Sequence, residues 1–158
     1  WYPEARSLQR KIICHIGPTN SGKTHQALQK LQSSHHGIYC GPLRLLAWEV
    51  YERLNESGVS CNLITGQEII QESEACHSSC TVEMADTQHL YDCAVIDEVQ
   101  MIGCSQRGWA WTRALLGLRA RELHLCGSGS FLSLVKEIAK ITGESVKVLH
   151  YERLSPLS

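Results

Sequence analysis

The sequence lacks a large net charge of either sign, any long apolar run and any CxxC pair, and each absence removes a class of protein. A formal charge of -1 over 158 residues, with pI near 6.8, gives no global basic field. That excludes a histone-like or arm-type nucleic-acid binder and leaves local geometry to hold any such partner. No run approaches the ~20 apolar residues that span a bilayer, and the opening "WYPEARSLQ" lacks the charged-then-apolar layout of a secretory signal. No internal repeat, low-complexity tract or linker interrupts the order of elements, so one domain is expected.

Eight cysteines are present, but Cys14, Cys40, Cys93 and Cys126 lie inside apolar, strand-like runs. Buried, reduced thiols suit a reducing compartment better than a secreted disulfide scaffold. The tightest cluster is Cys76, His77 and Cys80, with His89 nearby. Without a paired-ligand knuckle, a loop without zinc is the preferred reading.

What is present is alternation. Short β-rich runs at 11–17, 37–41, 61–65, 79–83, 93–98, 122–127 and 145–151 alternate with helical patterns, the order of an α/β fold with a mainly parallel sheet. Ala27, Leu28 and Leu31 mark one amphipathic helix; Leu43, Leu46, Ala47, Val50 and Leu54 mark a second, closed by Gly58. "RGWAWTRALLGL" and "FLSLVKEIAKITG" repeat the pattern, the latter ended by Gly143. The polar stretch 67–78 reads as a short helix and a surface loop. His35 and His36 fall in an exposed turn. Residues 1–10 read as a lead-in, 11–151 as the domain and 152–158 as the start of a linker. The missing initiator Met and the stop at "YERLSPLS" are those expected of an excised domain.

Between the first strand and the first long helix stands "GPTNSGKT", a GxxxxGK[ST] pattern at Gly17, Gly22, Lys23 and Thr24. Amides of the loop Gly17, Pro18, Thr19, Asn20, Ser21 and Gly22 and of the helix start can face phosphates, although Pro18 has no N–H. Lys23 can reach the β and γ groups, and the Thr24 hydroxyl can bind Mg²⁺. The loop therefore predicts ATP with Mg²⁺. "CAVIDEVQM" ends a buried strand in Asp97 and Glu98, the first suited to hold the metal and the second to orient a water. Gln100, two residues on, reads either as a relay or as an ordinary loop residue.

Two enzyme classes share these motifs, nucleoside kinases of the thymidine type and nucleic-acid motors. The kinases carry a zinc ribbon of paired CxxC ligands, which this sequence lacks. The motors carry further segments at strand ends, and "GPLRLLAWE", "TGQE" and "CTVEM" stand there. Gly41 and Gly66 can allow close backbone approach, while Arg44, Thr65 and Thr81 can meet phosphate oxygens. Trp109 and Trp111 offer base-stacking platforms in principle, but core or interface anchors are the preferred reading.

"GPTNSGKT", "YCGPLRLLA", "CTVEM", "VIDEVQM" and above all "RGWAWTRALLGL" followed by "LHLCG" resemble the first RecA-like domain of the mitochondrial RNA helicases of the suppressor-of-Var family. The resemblance runs from about Arg10 to Pro156 and implies a P-loop NTPase with a three-layer α/β/α domain. It implies an ATP-dependent helicase of the mitochondrial matrix, acting on single-stranded or 3′-tailed RNA and also on DNA or hybrids. A second RecA-like domain and a 3′ exoribonuclease are the implied partners, with no membrane. By the same resemblance Lys23, Asp97 and Glu98 are catalytic, Thr24 and Asp97 are metal ligands, and Pro42, Arg44, Thr65, Gly66 and Thr81 form the nucleic-acid track. Gln100, Gly127 and Ser128 are assigned to coupling. Family members carry an acidic residue after "LCG", where this sequence has Ser128; the departure bears on coupling and not on ATP binding. A non-enzymatic RNA-binding module with an uncoupled nucleotide site therefore stays open, as does the kinase.

Overall fold

A computed structural model describes residues 2–18 and 22–152. The central element is one eight-stranded sheet, β1 (Lys11–Ile16), β2 (Gly37–Gly41), β3 (Cys61–Ile64), β4 (Ile69–Ile70), β5 (His77–Thr81), β6 (Leu90–Ile96), β7 (Arg119–Gly127) and β8 (Ser145–His150). Their order is β4-β3-β5-β2-β6-β7-β1-β8, and every pairing is parallel except that of β3 with β4.

Parallel strands need covering on both faces, and α1 (Pro3–Arg6), α2 (Lys23–Ser33), α3 (Arg44–Glu56), α4 (Gly108–Gly117) and α5 (Leu132–Thr142) supply two layers. Ala27, Leu28 and Leu31 of α2 and Val50 and Leu54 of α3 pack with Tyr39, Val95 and Cys126 on one face. Ala110, Trp111, Ala114 and Leu115 of α4 and Val135 of α5 pack with Ile12, Ile38, Ile96 and Leu125 on the other. Gly143 ends α5 at φ 76°, a left-handed conformation that costs glycine little.

Two expectations are corrected and one is divided. The segment 67–78 forms no helix; Ile69 and Ile70 make a short antiparallel edge strand against Leu63 and Ile64. The strand expected at 79–83 runs over His77–Thr81, because Val82–Met84 turn into a 3₁₀ segment. The two tryptophans separate: Trp111 is fully buried, whereas Trp109 is 58% exposed. Two residues apart on a helix they face roughly opposite ways, about 200° around the axis.

The region before β1 also packs on the domain. Arg10 is buried and grips Glu144, which precedes β8, through two nitrogens at 2.7 and 3.1 Å. His35 and His36 are exposed, as expected. His77 lies against the Leu31 carbonyl and Cys80 against Cys40, so these two members of the Cys76 cluster are engaged elsewhere. Among the described residues no helix is long and apolar enough to cross a membrane.

Candidate nucleotide and nucleic-acid site

Parallel strands bring their carboxyl ends to one edge, and β2, β6, β7 and β1 are consecutive neighbours in the sheet. The segments that follow them, starting at Pro42, Asp97, Ser128 and Gly17, therefore share a crevice, the place where open α/β sheets bind ligands. The backbones are tied there: the Gly17 amide donates to the Gly127 carbonyl at 3.2 Å and the Asp97 amide to the Cys40 carbonyl at 2.9 Å.

Of the phosphate loop, Gly17, Pro18, Gly22, Lys23 and Thr24 are described; Thr19, Asn20 and Ser21 lie outside the described residues. Gly22 has φ 83°, a geometry for which glycine is suited, and is followed directly by the first turn of α2. The Lys23 side chain is buried and its Nζ donates to the Pro18 carbonyl at 3.2 Å, across the loop. The Thr24 hydroxyl points across the crevice to Asp97 Oδ1 at 3.4 Å.

Asp97 is 4% exposed. Its Oδ2 accepts a 2.8 Å hydrogen bond from the Tyr39 hydroxyl, its Oδ1 accepts from the Glu98 amide at 3.0 Å, and its carbonyl accepts from the Trp111 indole at 2.9 Å. Burial raises its pKa above the ordinary carboxylate value; the Tyr39 bond lowers it and the neighbouring Glu98 charge raises it again. Among the described residues no cation forms an ion pair with it. A buried carboxylate that no ion pair neutralises and a hydroxyl converge into an all-oxygen donor set that fits a hard divalent cation such as Mg²⁺, with the charge of Lys23 nearby.

Glu98 takes a left-handed backbone, φ 52° and ψ 49°, strain that costs a non-glycine residue about 1–2 kcal/mol. Its carboxylate accepts from the Gln100 side-chain amide. The other end of that amide accepts the Ser128 N–H at 3.2 Å, so Gln100 joins the acidic strand end to the loop after β7. Gly127 leaves room for this: a Cβ there would lie 2.4 Å from the Gln100 oxygen.

The residues expected along a nucleic-acid track lie at or just beyond the carboxyl ends of neighbouring strands β3, β5 and β2, where Ile64 pairs with Cys80 and Gly41 with Thr81. Thr65 and Thr81 thus stand level at the same edge. Thr65 is buried and its hydroxyl accepts the amides of Gln67 and Glu68, each at 3.2 Å; it shapes the turn that exposes Gly66. Arg44 is exposed at the start of α3 and pairs with Glu68 at 2.6 Å. Pro42 is buried, and its carbonyl accepts from Arg107, which also holds Glu83 at 3.0 Å. Thr81 is half-buried.

Sequence reasoning missed Tyr39, which lies inside the strand run at 37–41, and gave no indication of the ties made by Arg107 and the Trp111 indole. For Gly41 it expected room for a nucleic-acid backbone; the structure gives another demand, since a Cβ there would lie 2.7 Å from the Tyr39 ring.

The family described as the DEXQ-box helicase domain of Suv3 matches residues 1–151. Among curated relatives, the mitochondrial DExH-box ATP-dependent RNA helicase DExH16 of Arabidopsis thaliana is 61% identical over 99% of this chain and 28% of its own length. The mitochondrial ATP-dependent RNA helicase SUPV3L1 of Homo sapiens is 56% identical over 100% of this chain and 21% of its own. The chain thus spans about a quarter of the length of such relatives. Among solved structures, the Hef helicase domain of Pyrococcus furiosus superposes with a TM-score of 0.59 at 16% identity, over 98% of this chain and 37% of that one. At that identity the likeness carries the fold alone, a RecA-like one.

Proposed function

The chain belongs to the family of the DEXQ-box helicase domain of Suv3, and from that premise we propose that it is the first ATP-binding motor domain of a mitochondrial ATP-dependent RNA helicase. The observation that carries the reading is the meeting of Thr24 with Asp97 at 3.4 Å across a crevice that also holds Lys23 and Glu98. Lys23 swings from the Pro18 carbonyl to the β and γ phosphates, a charge that attracts and orients the transferred group. Thr24 and Asp97 would hold Mg²⁺, which would supply charge neutralisation to the phosphate oxygens. Glu98 orients the attacking water, and Gln100 reports the state of Glu98 to the Ser128 loop.

RNA, with DNA as a second substrate, lies over the ends of β3, β5 and β2, its phosphates near Arg44, Thr81 and the exposed Gly66. Pro42 and Thr65 shape that edge from below, through their packing and backbone bonds. A second RecA-like domain closes the crevice and supplies an arginine to the transition state, a contribution worth about 10³–10⁵ in rate in such enzymes. A 3′ exoribonuclease receives the unwound strand, and the matrix of the mitochondrion is the compartment. Family membership argues against the nucleoside kinase.

Lys23→Ala should lose nucleotide binding, while Glu98→Gln should keep it and lose hydrolysis in the longer protein. Hydrolysis that survived Glu98→Gln would remove Glu98 from its role. RNA should stimulate turnover; a rate indifferent to RNA would favour the uncoupled binding module.

A further inference from the structure

We infer that Tyr39 is a positioning residue for the metal-binding carboxylate, its hydroxyl deciding which oxygen of Asp97 faces Thr24. The inference rests on the ATP and Mg²⁺ reading of the crevice. Tyr39 lies mid-strand on β2, 1% exposed, and packs its ring among Leu31, Val50, Leu54 and Val95. A buried strand site of this kind is filled as well by Phe or Leu, so packing alone leaves the hydroxyl unexplained. Buried hydroxyls require partners, and the one found here is Asp97 Oδ2 at 2.8 Å.

That bond divides the carboxylate. With Oδ2 turned into the core, Oδ1 alone remains on the crevice side, where it meets the Glu98 amide at 3.0 Å and the Thr24 hydroxyl at 3.4 Å. The backbone is held from the same strand, because the Asp97 amide donates to the Cys40 carbonyl at 2.9 Å. β2 therefore fixes both the position and the rotation of the carboxylate. Gly41 is the third part of the device. A Cβ there would stand 2.7 Å from the ring and 3.0 Å from the hydroxyl of Tyr39, so the tyrosine reaches Asp97 only because residue 41 has no side chain.

Partners that orient a metal ligand without touching the metal are typically worth 10- to 100-fold in metal affinity, so Tyr39→Phe is expected to weaken cation binding by roughly tenfold or more. The test titrates a fluorescent ATP analogue into the chain in Mg²⁺ and in EDTA, and follows Mn²⁺ binding to the ATP-loaded chain by electron paramagnetic resonance. Tyr39→Phe should lose affinity in the presence of the cation, keep the EDTA affinity and stay folded, its melt lowered by no more than the loss of one buried hydrogen bond. Gly41→Ala, which displaces the ring but retains the hydroxyl, should do the same and carries the test if Tyr39→Phe misfolds. Unchanged cation binding, or an equal loss in Mg²⁺ and EDTA with a lowered melting temperature, would make Tyr39 a packing residue and overturn the inference. A wild-type chain that binds no nucleotide, or binds it without regard to the cation, would overturn the ATP and Mg²⁺ reading itself, a pattern distinct from a cation-dependent wild type matched by its Tyr39→Phe variant.

Discussion

Replacing Arg10 by alanine should unfold the domain at a markedly lower temperature, although Arg10 is far in sequence from the residues it holds. Its Nε and Nη2 grip the Glu144 carboxylate at 2.7 and 3.1 Å, its Nη1 donates to the carbonyls of Leu115 and Leu118 at 2.7 and 3.1 Å, and its own amide donates to Glu144 at 3.1 Å. Arg10→Ala removes the two-nitrogen grip from a buried carboxylate, leaving it the Thr142 hydroxyl and the charge of Arg6, and leaves two carbonyls at the end of α4 without that donor. Breaking a buried pair costs about 3–5 kcal/mol, and in a domain of this size each kcal/mol moves the midpoint by about 2–4 °C, so a fall on the order of 6–20 °C is expected. Arg10→Lys, with a point charge in place of a fork, should fall between. The pH dependence follows from Glu144. Burial raises its pKa, but the Arg10 bonds and charge outweigh that and hold it below the ordinary 4.5. Stability from the pair is therefore full above about pH 4.5 and is lost as pH falls through the lowered value, so wild type and variant converge in acid. Thermal melts by circular dichroism at neutral pH and in steps down through about pH 3 measure both effects. A variant melting within about 2 °C of wild type at neutral pH would show the pair to be worth no more than a surface bridge and refute the reasoning.

Two further outcomes follow from buried groups. Trp111→Phe preserves an aromatic ring but removes the donor from the Asp97 carbonyl, and should cost about 1–3 kcal/mol in urea unfolding; an unchanged urea midpoint would deny that bond its role. His15 is held neutral, burial first and His124 second lowering its pKa from 6.5 to about 4. The unfolded chain therefore takes up that proton first, and stability should decline as pH falls from 6.5 to about 4; His15→Phe should flatten that slope, and a variant with the wild-type slope would acquit His15.

The phosphate loop and the acidic strand end were legible because their chemistry is local: Gly17 to Thr24 and Asp97 to Gln100 each carry their meaning within a few residues, flanked by a strand. Strand periodicity likewise placed β1, β2, β3 and β8 to within a residue. It failed where a partner decides the conformation. Ile69 and Ile70 become strand only because Leu63 and Ile64 offer an open edge, and no pattern in a polar stretch announces two residues of pairing. Trp109 and Trp111 were weighed together as aromatics on one helix, although their spacing of two sends them to opposite sides. Tyr39 could not be distinguished from a core residue, because the carboxylate that uses its hydroxyl lies 58 positions away; Arg10 and Glu144 are separated by 134. Such pairings are set by the closing of the sheet and leave no local trace.

The strand order has a consequence for how the site can vary. Neighbouring strands in any sheet stand about 4.8 Å apart, so the spacing of the segments after β2, β6, β7 and β1 is set by hydrogen-bonded backbone and not by the length of chain between them. The turn at Gly58 and the polar bend before β6 can lengthen or shorten without changing the distance from Thr24 to Asp97. The sheet works as a fixed ruler, and the connecting loops on its far edge are free to diverge while the chemistry at the near edge stays in register.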